Sequence, residues 1–284
     1  MPMQKNDFIG LFREMKGLPV IIGLLDPPLH EFLPQNDDDI ADFAAVASIR
    51  FSEVKAHVEE LHEFNPMLGY SGCRLGLTYP EISDMQVVAI MEAACELVKN
   101  EHYEIVPEIM IPLVADINEL QMLRENVVRI AEQVMEDYAV KVDYQIGTMI
   151  ELPRAALLAD IIAQQADFFS FDSNDPTQTT YGLSRDGAGC FLPYYVDNGL
   201  FASDPFIKLD RDGVGQLVKM GTEKGRQTRP DLKIGICGEH GGESSCVEFC
   251  HQVGLNYVSC SPYQISIARL TAAHAALMHE NIDD

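Results

Sequence analysis

The chain has 284 residues, 47% of them hydrophobic, and 44 Asp and Glu stand against 20 Lys and Arg for a formal net charge of −24. That hydrophobic content excludes a disordered chain, and no run approaches the ~18 uninterrupted apolar residues that span a bilayer. The acidic balance argues against nucleic-acid and anionic-membrane partners, so a small anionic substrate would need a local positive source: a metal, arginines or helix N-termini. The opening MPMQKNDFIG lacks the marks of a signal or transit peptide, and the expected location is cytoplasmic.

In chain order the pattern predicts a helix at Asp7–Lys16, a strand at Pro19–Leu25 and helices at Asp38–Ala47 and Ser52–His62. A strand at Arg74–Thr78 and a helix at Ile82–Lys99, opened by Ser83 or Asp84, come next. The strand Glu108–Val114 is followed by the helix Ile117–Tyr138, and the strand Gln145–Leu152 by the helix Arg154–Gln165. The strand Asp167–Phe171 leads into an irregular stretch from Ser173 to about Asp212, then the helix Gly213–Gln227. Strand Lys233–Cys237, helix Ser244–Val253, strand Asn256–Cys260 and helix Gln264–His279 complete the chain. Buried strands alternating with helices imply a parallel sheet, and this count points to a (β/α)₈ barrel in one domain, residues 1–284, more than to an open doubly wound sheet. No strand is followed by GxGxxG or by a P-loop sequence.

In such a fold, chemistry sits at the C-terminal ends of strands. Those ends are Gly23 and Asp26, Thr78, Pro112, Glu151, Asn174 and Asp175, Cys237, and Ser259. Glu151 and Asp175 on neighbouring strand ends make a reasonable hard-cation site, with water and substrate oxygens completing a Mg²⁺ shell. The competing reading pairs Glu151 with Arg154, or makes it a cap, and leaves Asp175 as a turn residue before Pro176. Cys237 opens CGEHGG, where a thiol could exchange a proton or simply be buried; His240 could bind ligand or only tie the loop. Seven scattered cysteines without CxxC favour core thiols over a zinc site built from Cys237, His240, Cys246, Cys250 and His251.

The segments LLDPPLHEFLP (24–34), HEFNPMLG (62–69), GCRLGLTYPEI (72–82), GTMIELPRAAL (147–157), SNDPTQTTYGLSRD (173–186), FLPYY (191–195), GVGQLVKM (213–220) and GICGEHGG (235–242) carry a resemblance. They resemble the C-terminal phosphoenolpyruvate (PEP)/pyruvate domain of the pyruvate, phosphate dikinase family. The resemblance implies a (β/α)₈ barrel and Mg²⁺ held by Glu151 and Asp175. It also implies a substrate site lined by Ser173, Asn174 and both metal-binding carboxylates, and proton exchange at C3 of the pyruvate enolate by Cys237. It further implies a homodimer, and a phosphohistidine domain and an ATP-grasp domain that would lie on another chain or be missing. The chain would begin after the family's first strand. It departs from the family at Gly23 and Ser71, where arginines are usual, at Tyr70 for His, and at Asp172 for the Gly of GTNDLTQ. Arginines are the usual clamps of phosphate oxygens, so PEP is expected to bind weakly. A dimerisation scaffold without catalysis and a Mg²⁺-dependent pyruvate-enolate lyase are the alternatives.

Overall fold

The computed structural model describes residues 1–27, 29–61 and 69–280; Pro28 and the HEFNPML part of the second motif, residues 62–68, lie outside the described residues. Its strands are β1 (Val20–Gly23), β2 (Pro107–Ile111), β3 (Gln145–Ile150), β4 (Phe168–Phe171), β5 (Lys233–Ile236) and β6 (Tyr257–Val258), all parallel and paired in sequence order. Every connection between neighbours is a crossover that carries helix, and the order never reverses, as it would in a doubly wound sheet. The result is an open half-barrel of six strands. Among the described residues, β1 and β6 do not pair with each other.

Apolar residues on both faces explain the burial of the central strands: every residue of β2 and β4 is buried. The long helix Ile117–Tyr138 matches its expected bounds because its signals agree. Asp116 and Glu119 form a capping box, and Leu120, Leu123, Val127, Ile130 and Val134 recur on one buried face. Helix Val214–Thr228 sits close on the sheet through Gly221 and Gly225, one turn apart. A Cβ at these positions would lie 2.9 Å from the Phe171 ring and 2.8 Å from the Phe169 ring. Helix Pro2–Glu14 buries Ile9 and Phe12, and its Lys5 forms ion pairs with Glu92 and Glu96 on helix Pro80–Glu101.

Three expectations are corrected. Arg74–Thr78 is not a strand but part of a helix, Gly72–Thr78: Leu75 and Leu77 alternate, yet five residues cannot separate the strand period from the helix period. The next helix starts at Pro80 rather than at Ser83 or Asp84, since proline at a first helical position has no N–H to leave unsatisfied. The stretch 173–212 is not irregular throughout. It holds helices Asn174–Tyr181, Arg185–Ala188 and Leu192–Asp197, and a small core of Ala188, Leu192 and Phe206. Among the described residues no helix is long and apolar enough to cross a membrane.

Candidate metal centre

The strand register sets the site. Ile150 pairs with Phe171, and Phe171 with Ile236, so the next residues along, Glu151, Asp172 and Cys237, leave three adjacent strands at one level. All strands run the same way, so these three side-chain positions share one rim with the turn Asp172–Asp175. Carboxylate oxygens of Glu151, Asp172 and Asp175 lie within 4.8 Å of one another. Glu151 is fully buried and accepts a hydrogen bond from the backbone N–H of Leu113. Asp172 Oδ2 accepts from the N–H groups of Asn174 (2.7 Å) and Asp175 (2.8 Å), closing the start of helix Asn174–Tyr181. Gln178 donates to Asp175 Oδ1 at 3.1 Å, and the Cys237 thiol lies 3.9 Å from Asp172 Oδ1.

A fourth carboxylate, Asp26, reaches the same group from beyond β1. It and Asp172 are pushed up to about 6, in each case chiefly by burial, and by charge from their acidic neighbours. Burial, then the charges of Asp26, Asp175 and Asp172, holds Glu151 well above the usual carboxylate range; burial also raises Asp175. Burial and the charge of Asp172 raise the Cys237 thiol, which therefore stays protonated. Among the described residues no Lys or Arg enters these balances. The expected partner of Glu151, Arg154, instead pairs with Asp116 at 3.0 Å. Arg185 is held by Glu239 at 2.9 Å.

Three buried oxygens at or near this rim, Ser71 Oγ, Ser173 Oγ and Asn174 Oδ1, have no hydrogen-bond partner among the described residues. Only glycine fits beside them at 238: its φ is +89°, and a Cβ there would lie 2.4 Å from Ser173 Oγ and 2.8 Å from Asp172 Oδ1. An all-oxygen, acidic donor set, with Glu151 buried and the two aspartates half-buried and no protein cation among the described residues, fits a hard divalent ion such as Mg²⁺. The structure brings together the expected Glu151, Ser173, Asn174, Asp175 and Cys237. Sequence reasoning named Asp26 at a strand end and Asp172 as a departure from the family, but assigned neither to the cation group. Thr78 lies in a helix, and His240 Nε2 bonds Pro205 O at 2.9 Å. Cys246 and Cys250 pack against each other, with 3.9 Å between their Sγ atoms, on the buried face of helix Ser244–Gln252.

The raised carboxyls have a sign. Between the unfolded value of 3.8 and about 6, the folded chain holds more protons at Asp26 and Asp172 than the unfolded chain does. Their contribution to stability is complete below about pH 4 and lost as pH rises through about 6. Without metal, Asp26→Asn should therefore be more stable than the native chain at about pH 7.5, and that advantage should vanish by about pH 4.5. Urea unfolding in a chelator checks this; a difference independent of pH would contradict it.

A family model, "PEP-utilising enzyme, PEP-binding domain", matches residues 2–277. The chain is 57% identical to the pyruvate, phosphate dikinase of Clostridium symbiosum over 277 residues, which covers 98% of this chain and 32% of that protein. It is 53% identical to the Rhizobium meliloti dikinase, covering 98% of this chain and 31% of that one. It is 52% identical to the chloroplastic dikinase 1 of Arabidopsis thaliana, covering 98% and 29%. The chain thus spans about a third of the length of the curated relatives it matches. With a match over almost its whole length and its acidic residues gathered at the strand ends, this chain belongs to the PEP-utilising enzyme family, as a PEP-binding domain.

Proposed function

We propose that this chain is the Mg²⁺-dependent PEP/pyruvate domain of a pyruvate, phosphate dikinase-type phosphotransferase. The observation that carries the reading is the convergence of Glu151, Asp172 and Asp175 within 4.8 Å, with no protein cation among the described residues to balance them. Glu151 and Asp175 hold the ion. A bound Mg²⁺ supplies Lewis-acid charge to the oxygens of a keto acid and of a phosphoryl group. The Ser173 hydroxyl, without a partner among the described residues, donates a hydrogen bond to a substrate oxygen, and the Asn174 side-chain NH₂ donates to a second. The Cys237 thiol, kept protonated by burial, delivers the proton to C3 of the enolate and takes it back in reverse. Phosphohistidine and ATP-grasp domains, which the family resemblance implies, would complete the reaction.

Exchange of the pyruvate methyl protons in deuterated water, followed by NMR, tests this. Exchange should require Mg²⁺ or Mn²⁺ and fall by about 100-fold or more in Cys237→Ala and Glu151→Gln. Mn²⁺ binding should survive in Cys237→Ala. Native protein that binds Mn²⁺ but never exchanges would favour a second reading, a scaffold without catalysis. Gly23 and Ser71 support that second reading, because neither supplies a phosphate-binding charge.

The same two positions predict weak PEP binding. Gly23 has room for a side chain, with only the Met110 methyl, at 3.6 Å, near its would-be Cβ. Gly23→Arg combined with Ser71→Arg should tighten PEP in Mg²⁺ by about tenfold or more, since charge-assisted hydrogen bonds contribute about 1.5–3 kcal/mol. Tight native binding with no gain in the double variant would contradict this.

We also read the half-barrel as part of a (β/α)₈ barrel, with the gap between β6 and β1 filled by further strands. Unpaired outer edges at Val20–Gly23 and Tyr257–Val258 support association, and so do the exposed Ile267 and Leu270 on helix Ile265–Glu280. The net charge of −24 opposes open-ended aggregation, so a homodimer is expected in sedimentation. Monomers at high concentration, with both strands protected from amide exchange, would contradict it.

A further inference from the structure

We propose that Asp172 is a third carboxylate ligand of the divalent cation, through Oδ1, so that the centre takes up its cation without substrate. The inference rests on the metal reading above and adds to it a residue with a role of its own. The two oxygens of Asp172 have different surroundings. Oδ2 is engaged by the N–H groups of Asn174 and Asp175, which fixes the carboxylate plane. Among the described residues, the side-chain contact at Oδ1 is the long, weak approach of the Cys237 thiol at 3.9 Å. An Asp ligand oriented by two amide donors on its other oxygen loses little side-chain freedom when a cation binds.

A separate observation points to a ligand here. The Ser173 side chain is fully buried, its hydroxyl has no partner among the described residues, and it stands against the same Gly238 backbone as Asp172 Oδ1. Both atoms lie within 2.8 Å of the point where a Cβ on residue 238 would stand, so glycine lets the backbone pass close to both without a side chain to cover them. A buried hydroxyl without a partner among the described residues, beside a carboxylate oxygen held only by a weak thiol contact, suits a polar occupant such as the ion or one of its waters.

The charge of the centre follows. Two carboxylates neutralise a dication and leave room for an anionic substrate; three make the loaded centre negative. Such a site holds its ion more firmly and selects against phosphorylated anions. It would favour the less charged keto acid.

Calorimetric titration with Mn²⁺ alone, on the whole chain, tests the assignment. Asp172→Gly and Asp172→Asn should each weaken Mn²⁺ binding by tenfold or more, as Glu151→Gln should. The Asn side-chain oxygen can still accept the two N–H groups, so Asp172→Asn keeps the turn if Asp172→Gly unfolds. The Mn²⁺-induced rise in melting temperature should also shrink in Asp172→Asn. If both Asp172 variants bind Mn²⁺ like the native chain while Glu151→Gln does not, Asp172 is only a helix cap; this inference falls and the metal reading stands. If none of the three lowers the affinity, the metal reading fails and takes the inference with it.

Discussion

Carboxylates drawn together out of water repel one another, and this sheet gathers four at one rim, Glu151 buried and Asp26, Asp172 and Asp175 half-buried, with no protein cation among the described residues. Something positive must occupy that space: protons when no metal is present, a divalent ion when one is. The opposite end of the sheet shows what the protein does when it balances its own charge. There Glu108 of β2 is buried, and Lys233 of β5 reaches both its oxygens at 2.6 and 2.7 Å. One end carries its counter-charge covalently. The other leaves the counter-charge to be bound.

Topology turns this local chemistry into a site. A parallel sheet whose strand order never reverses sends every strand end to the same rim, and the register puts Glu151, Asp172 and Cys237 at one level. Each is the first residue after its strand, where the chain must turn and side chains can face inward. Helix packing holds the level: Phe169 and Phe171 of β4 meet the glycine face of Val214–Thr228, so β4 cannot slide without a clash. The Cys237 thiol thus stands beside the carboxylates because its strand is the neighbour of theirs.

Most of this was legible in the linear sequence, for reasons that can be named. Glu151 and Cys237 each close an apolar strand, and Asp175 follows one within a few residues, so reading strand ends finds all three. Ser173 and Asn174 came from the family resemblance, and the match over residues 2–277 bears out the family. Strand ends also give Asp26, but not its coupling to the other carboxylates, because it lies three residues past β1 and its charged neighbours come from beyond β4. Asp172 stood in view as a departure from the family pattern, but only folding shows that one of its oxygens caps a helix while the other remains available. Arg74–Thr78 misled because an alternating pair of leucines over five residues suits a strand and a helix equally. The helices within 173–212 were hidden because they are short and hold together around a small core of their own.

The central claim is that this rim is a cation site built by its carboxylates. The most direct measurement is a crystal grown with Mn²⁺ and examined for anomalous scattering near the manganese edge. The account predicts a single strong peak bounded by the carboxylates of Glu151, Asp172 and Asp175. A map at saturating Mn²⁺ with no peak there, or with the metal bound elsewhere while these carboxylates stay unliganded, would contradict it.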